Sequence, residues 1–69
     1  MGSEDQKLAK ILKEAREKAG LTQAEAAKKA SINTNYYARV ERGEVTPRVD
    51  IVENIAKALK IRLNLPLEK

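Results

Sequence analysis

A group of residues in the middle of the chain could recognise the edges of nucleic-acid bases. Its members are spaced i, i+3, i+4 and i+7 along one face of a helix: Asn35, Ala38, Arg39 and Arg42. An Asn side chain can bind adenine through N6 and N7, and an Arg side chain can bind guanine through O6 and N7. The opposite face carries Tyr37 and Val40, which we expect to point into a core. The pattern therefore predicts a helix that enters a duplex groove.

Composition excludes most other chemistry. The 69 residues contain no Cys and no His. A disulfide framework, a zinc finger, an imidazole base and a Ser-His-Asp triad are therefore absent. No acidic cluster suggests a metal site, and no pair of residues resembles an acid, a base or a nucleophile. We expect neither an enzyme nor a cofactor nor a small-molecule substrate.

Charge and length favour a small domain with a polyanionic partner. Lys and Arg number 14 against 10 Asp and Glu, which gives a net charge of +4. The length allows a single domain over residues 1–69. No apolar run approaches the roughly 18 residues that span a bilayer, and we expect no secretory signal, since no basic segment precedes an apolar one. We expect a cytoplasmic location and no membrane partner.

Apolar residues at helical spacing and local start and stop signals predict four helices. Thr22 and Glu25 form the pattern of a capping box, and Asn33 can cap the third helix. Gly20 and Gly43 follow the first and third helices, where a left-handed conformation is common. The predicted helices span about residues 5–19, 22–30, 34–42 and 48–60.

The last nine residues, 61–69, change period. Apolar and polar residues alternate there, and the apolar set is Ile61, Leu63, Leu65 and Leu67. A period of two predicts a half-buried strand, which needs a partner strand that the helices do not offer. An identical strand from a second copy would supply it in a homodimer, with Pro66 at the edge or the end of the pairing. The alternative is a short fifth helix.

Four segments together resemble the XRE family, the Cro and lambda-repressor type of DNA-binding domain. They are GLTQAEAA at 20–27, ASIN at 30–33, VERG at 40–43 and TP at 46–47. The resemblance covers about Leu8 to Leu59. It implies an all-α, lambda-repressor-like helix-turn-helix bundle of four helices, followed here by the extended strand or the short fifth helix. In such a bundle the third helix lies in the major groove of DNA.

The resemblance also implies roles for single residues. Gln23 would donate to a DNA phosphate and brace the recognition helix, Arg42 would contact a phosphate, and Arg16 and Glu41 would form a buried ion pair. Judged by its place in the loop before the fourth helix, Arg48 could either reach a phosphate or simply be exposed, and Asn33 could be only a cap. The expected DNA-binding set is Thr22, Gln23, Asn33, Thr34, Asn35, Tyr36, Ala38, Arg39, Arg42 and Arg48.

Four positions depart from the family pattern. Ser31 stands where Gly is usual, and a positive φ there would cost about 1 kcal/mol. Ala26 and Ala30 stand where Leu is common, and Tyr37 where Ile or Val is common. We expect the larger Tyr37 to fill space that the small Ala residues leave in the core.

Two functions follow from these observations. The first is a sequence-specific, DNA-binding transcriptional regulator, a repressor of the XRE type, acting as a homodimer on duplex DNA. The alternative is an antitoxin with a toxin protein as its partner, whose DNA binding is autoregulatory. The alternating tail is similar to the C-terminal strand of HipB-like antitoxins, which favours the alternative.

Overall fold

The computed structural model describes residues 3–61 of the chain. They form an all-α arrangement of four helices, which confirms the predicted fold class. The helix ends differ from the predicted ones by two residues at most. The helices are α1 (Ser3–Lys18), α2 (Gln23–Lys29), α3 (Thr34–Glu41) and α4 (Val49–Leu59). Within these residues no helix is long and apolar enough to cross a membrane.

One core holds the helices together. α1 packs on α3 and α4, and α2 packs on the same two helices. The largest fully buried side chains are Tyr37, Leu12, Ile55 and Val40. Small residues of α2 and its end, Ala26, Ala27 and Ala30, complete this cluster. The predicted burial of Tyr37 is therefore confirmed, and Tyr37 belongs to the same core cluster as these Ala residues.

The starts of α2 and α3 are held by local hydrogen bonds. The Thr22 hydroxyl accepts from the Glu25 backbone N–H at 3.0 Å, and the Glu25 carboxylate accepts from the Thr22 N–H at 2.8 Å. The Asn33 side chain accepts from the Tyr36 N–H at 3.1 Å. Both helix starts are thus fixed by side chains that satisfy otherwise unpaired backbone donors.

Each described helix is followed within two residues by one with a left-handed backbone, and two of these residues are not Gly. Ser31 has φ 61° and Lys60 has φ 58°, while Gly20 and Gly43 both have φ 73°. After Ser31, the Ile32 N–H donates to the Ala27 carbonyl at 2.9 Å, which closes the turn. Ser31 therefore adopts a positive φ, and the cost of about 1 kcal/mol relative to Gly applies there.

The C-terminal end of α4 leads to Ile61, which is half-buried and packs against the core. Its backbone N–H donates to the Ala56 carbonyl at 3.0 Å. The rest of the predicted dimerisation segment, Leu63, Leu65 and Leu67, lies outside the described residues, as do the strand, the fifth helix and the antitoxin similarity that depend on it.

Candidate nucleic-acid interface

The outward face of α3 is polar. Thr34, Asn35 and Arg39 are exposed, and Ala38 is half-buried between them. Arg42 follows directly after the helix and is also exposed. The inward face is anchored by Tyr37 and Val40, which are 0% and 2% exposed. The helix therefore presents an amide and guanidinium groups to solvent from a backbone that the core fixes.

Tyr36 and Asn33 of the expected DNA-binding set are partly occupied by contacts within the helical part of the domain. Tyr36 is half-buried and packs against the core, so only part of its ring faces solvent. The Asn33 side-chain oxygen is used as the cap of α3. Its amide NH₂ group still has two donors to offer a ligand.

A buried ion pair fastens α1 to the end of α3. Arg16 Nε donates to Glu41 Oε2 at 2.6 Å, and Nη2 donates to Oε1 at 3.1 Å. The third arm of the guanidinium, Nη1, donates to the Leu21 carbonyl at 2.8 Å. The Arg16 side chain is 13% exposed and that of Glu41 3% exposed. The two-point geometry fixes how the two helices are oriented.

Gln23, the first residue of α2, joins this cluster. Its Nε2 donates to Glu41 Oε1 at 3.0 Å, so the start of α2 lies beside the end of α3. Two hydrogens sit on that nitrogen, and the contact with Glu41 uses one of them. The half-buried side chain can therefore support α3 and still offer a donor outward.

The surroundings of Glu41 shift the protonation of three groups. Burial alone would raise the pKa of Glu41, but the charged Arg16, with smaller contributions from Tyr37 and Gln23, lowers it below its usual value. The hydrogen bond to Glu41 raises the pKa of Arg16. Burial, and then the neighbouring carboxylate, raises the pKa of Tyr37. Glu41 is therefore charged at neutral pH.

The Tyr37 hydroxyl lies within this cluster but forms no hydrogen bond of acceptable geometry there. It is close enough to Glu41 and Arg16 for each to influence its pKa. A buried hydroxyl without a partner costs free energy, since it has lost its water.

A second group of charges lies on the surface at the end of α3. Arg42 Nε donates to Glu44 Oε2 at 2.7 Å, and Arg42 Nη2 to Glu44 Oε1 at 3.3 Å. Arg39 Nε lies 3.6 Å from Glu44 Oε1. The side chains of Arg39, Arg42 and Glu44 are 54%, 56% and 46% exposed. One carboxylate therefore holds two of the expected DNA-contacting arginines.

The remaining arginine of the expected set lies before α4. Arg48 is the N-cap residue by position and makes no side-chain cap bond. Its side chain is 83% exposed and its Nη2 lies 3.4 Å from Asp50 Oδ2. Long and solvated, this side chain can exchange Asp50 for another anion at little cost.

Comparison with known families identifies the chain. The family model described as helix-turn-helix matches residues 12–65, which is most of the chain. The chain belongs to the XRE-type helix-turn-helix family. It is a DNA-binding regulator of transcription, and DNA is its partner. No curated protein and no solved structure matches it.

One residue at the candidate interface of this XRE-type regulator could not be found by sequence reasoning. Glu44 lies between the predicted helices 34–42 and 48–60 and is not in the expected DNA-binding set, yet its carboxylate contacts both Arg39 and Arg42. The contact depends on the turn at Gly43, whose φ of 73° folds the chain back beside the end of α3. The signal in the sequence is an acidic residue two positions after an Arg, across a Gly that ends a helix.

Proposed function

We propose that this XRE-type regulator reads an operator by inserting α3 into the major groove. The observation that carries the proposal is the two-sided character of α3. Asn35 and Arg39 face solvent, while Tyr37 on the other side has no exposed surface. A helix fits the major groove, and these side-chain types form two-point hydrogen bonds with adenine and guanine.

The exposed residues divide into two kinds of contact. Asn35 and Arg39, with Thr34 beside them, read base edges, and these contacts specify the sequence. Gln23, Arg42 and Arg48 bind phosphates, which position the domain on any duplex. The hydrogen bond from Gln23 to Glu41 supports this division, because one side chain then links α3 to the DNA backbone.

We also propose that the regulator acts as a homodimer through residues 61–69. A groove of about 490 Å³ lies between α1 and α4, and its apolar lining consists of Ile11, Ala15, Ala19, Leu59 and Ile61. The chain leaves α4 at Ile61 beside this groove, and Leu63 is at most about 7 Å further along. The alternating Leu residues would cover the groove while their backbone pairs with the same segment of a second copy.

Such a dimer would present two recognition helices to one face of the duplex. Their separation on an operator would be about 34 Å, one helical turn of DNA. Two linked domains bind more tightly than one, because the second contact becomes intramolecular.

Selection from random duplex DNA at a stated salt concentration tests the groove-reading role. The wild type should enrich a two-fold symmetric motif. Asn35→Ala should lose about 1–3 kcal/mol on that motif and relax one base position. Asn54→Ala, the same change at an exposed position of α4, is the control and should bind like the wild type. An Asn35→Ala protein that keeps the wild-type motif and affinity would contradict the proposal.

Gln23→Ala tests the phosphate contacts. It should weaken binding to the enriched motif and to random duplex by a similar factor. The measurement needs a temperature at which the variant is fully folded, since the bond to Glu41 is also lost. A loss confined to the enriched motif would assign Gln23 to base reading instead.

Sedimentation of the full chain tests the dimer. We expect a dimer for the wild type and a shift towards monomer for Leu65→Ser, which removes an apolar side chain from the alternating segment. Asn64→Ser changes the neighbouring, polar position and should leave the dimer intact. A monomeric wild type at high micromolar concentration would rule out the homodimer.

A further inference from the structure

We call the exposed residues Thr34, Asn35, Arg39 and Arg42 the DNA-reading face. The contact of Glu44 with the two arginines of this face has a consequence for the affinity for DNA. A guanidinium that binds a carboxylate through Nε and Nη2 uses the same fork with which it would bind a phosphate. Arg42 holds Glu44 in this two-point manner at 2.7 and 3.3 Å. This fork can bind a phosphate only after it releases Glu44, and the N–H groups that stay free on Nη1 and Nη2 lie beside the negative charge of the carboxylate, which repels a phosphate.

We propose that Glu44 is an intramolecular competitor for DNA phosphate that lowers the affinity of this regulator for every duplex. The inference rests on the proposed placing of α3 and Arg42 against DNA. The competition is with the DNA backbone, which is alike in all sequences, so the affinity falls by a similar factor on operator and random DNA.

The position of Glu44 makes an exchange feasible. Arg42 and Glu44 are both about half exposed, so water can replace either partner and the pair holds loosely. Arg39 lies 3.6 Å from the same carboxylate and is weakly held. The hydrogen bond from Arg42 lowers the pKa of Glu44, so the competing charge is present at neutral pH.

The buried carboxylate three residues earlier cannot act in this way. Glu41 is 3% exposed in its side chain and is bound by Arg16 and Gln23. Its charge is already matched inside the domain. Glu44 is therefore the carboxylate of this region that DNA can displace.

Glu44→Gln tests the proposal by fluorescence anisotropy with operator and random duplexes over a range of salt concentrations. Affinity for both duplexes should rise by about three- to tenfold, which corresponds to the worth of an exposed pair and of one removed negative charge. The slope of log affinity against log salt should become steeper by up to about 1. Glu53→Gln makes the same change of charge on the exposed surface of α4 and is the matched control.

The Arg42→Gln background separates competition from simple repulsion. If Glu44 acts by occupying Arg42, the gain from Glu44→Gln should shrink when Arg42 is absent. An equal gain in both backgrounds would show long-range repulsion of DNA and would overturn the competitor role.

The same measurements distinguish the two proposals. If Glu44→Gln binds no better than Glu53→Gln while Arg42→Gln weakens binding, the competitor role is wrong and the DNA-reading face stands. If Arg42→Gln and Asn35→Ala both bind like the wild type, the placing of α3 is wrong and the competitor role falls with it.

Discussion

Glu41 and Glu44 are the same residue type, three positions apart, and each binds an arginine through two hydrogen bonds. Their surroundings differ: the side chain of Glu41 is 3% exposed and that of Glu44 46% exposed. The buried pair joins α1 to α3, whereas the exposed pair joins the end of α3 to the residue that follows its turn. The same two-point geometry therefore fixes the packing of two helices at Glu41, whereas at Glu44 it leaves an arginine and a carboxylate that can each exchange partners.

The difference follows from solvation. Each charge of the buried pair has given up water, so removal of one partner leaves the other charge stranded. The exposed pair gains little from its attraction, because water solvates either partner nearly as well. A bidentate contact seen in a structure is therefore weak evidence of stability until its burial is known.

Breaking the buried pair should have the largest effect. Arg16→Ala or Glu41→Ala should lower the free energy of unfolding by about 3–5 kcal/mol, since the remaining charge stays buried without its partner. Replacing Arg16 and Glu41 together with Met and Leu should cost less than the worse single change.

Chemical denaturation of the two single Ala variants and the double Ala variant gives the coupling between the partners. Additive losses would show that the two side chains contribute independently, in spite of the 2.6 Å contact between them. If the single changes left no folded protein, the Met and Leu double variant would still report whether the charges are needed.

Acid should also distinguish the two carboxylates. The pKa of Glu41 is lowered in the folded state, so its contribution to stability is present above the ordinary value of 4.5 and is lost as the pH falls through the lowered pKa. The wild type should therefore lose stability below about pH 4.5 more steeply than Glu41→Gln.

Urea midpoints measured from pH 7 down to pH 2 provide the check. Glu44→Gln is the matched control and should follow the wild-type curve closely, because its carboxylate is exposed. A Glu44→Gln curve as flat as that of Glu41→Gln would contradict the distinction between the two sites.

Helix positions could be predicted from the sequence because each helix carries its own signals. Apolar spacing, the Thr22 to Glu25 box and the Asn33 cap all act within a few residues, and tertiary packing did not override them. The sign of φ at Ser31 did not follow from these signals, and the structure shows that it is positive.

Contacts between residues far apart in the sequence, and contacts made across a turn, could not be derived in this way. Arg16 and Glu41 are 25 positions apart, and only the family resemblance suggested that they meet. The pairing of Glu44 with Arg42 depends on the backbone direction after Gly43, which no periodicity describes. The bond from Arg16 to the Leu21 carbonyl similarly depends on how the chain turns after α1.

Tyr37→Phe should have a smaller effect on stability, and it tests whether the Tyr37 hydroxyl is bonded within the buried cluster. The hydroxyl has lost its water and has no hydrogen-bond partner in the structure, so its removal should raise the free energy of unfolding by up to about 1 kcal/mol. Thermal unfolding of the two proteins measures the difference. A loss of 1 kcal/mol or more would show that the hydroxyl donates to Glu41 in solution, which would add a further donor to that carboxylate.

The smallest effect on stability is expected at the exposed pair. Glu44→Gln and Arg42→Gln should each leave the thermal midpoint unchanged within error, because water replaces the lost partner at the surface. The same two variants should change DNA affinity in opposite directions, since one removes the competitor and the other removes the phosphate ligand. A clear drop in the midpoint for either variant would place this pair with the buried one as part of the architecture. An unchanged midpoint together with opposite shifts in affinity would establish that Arg42, at the end of α3, exchanges Glu44 for a DNA phosphate.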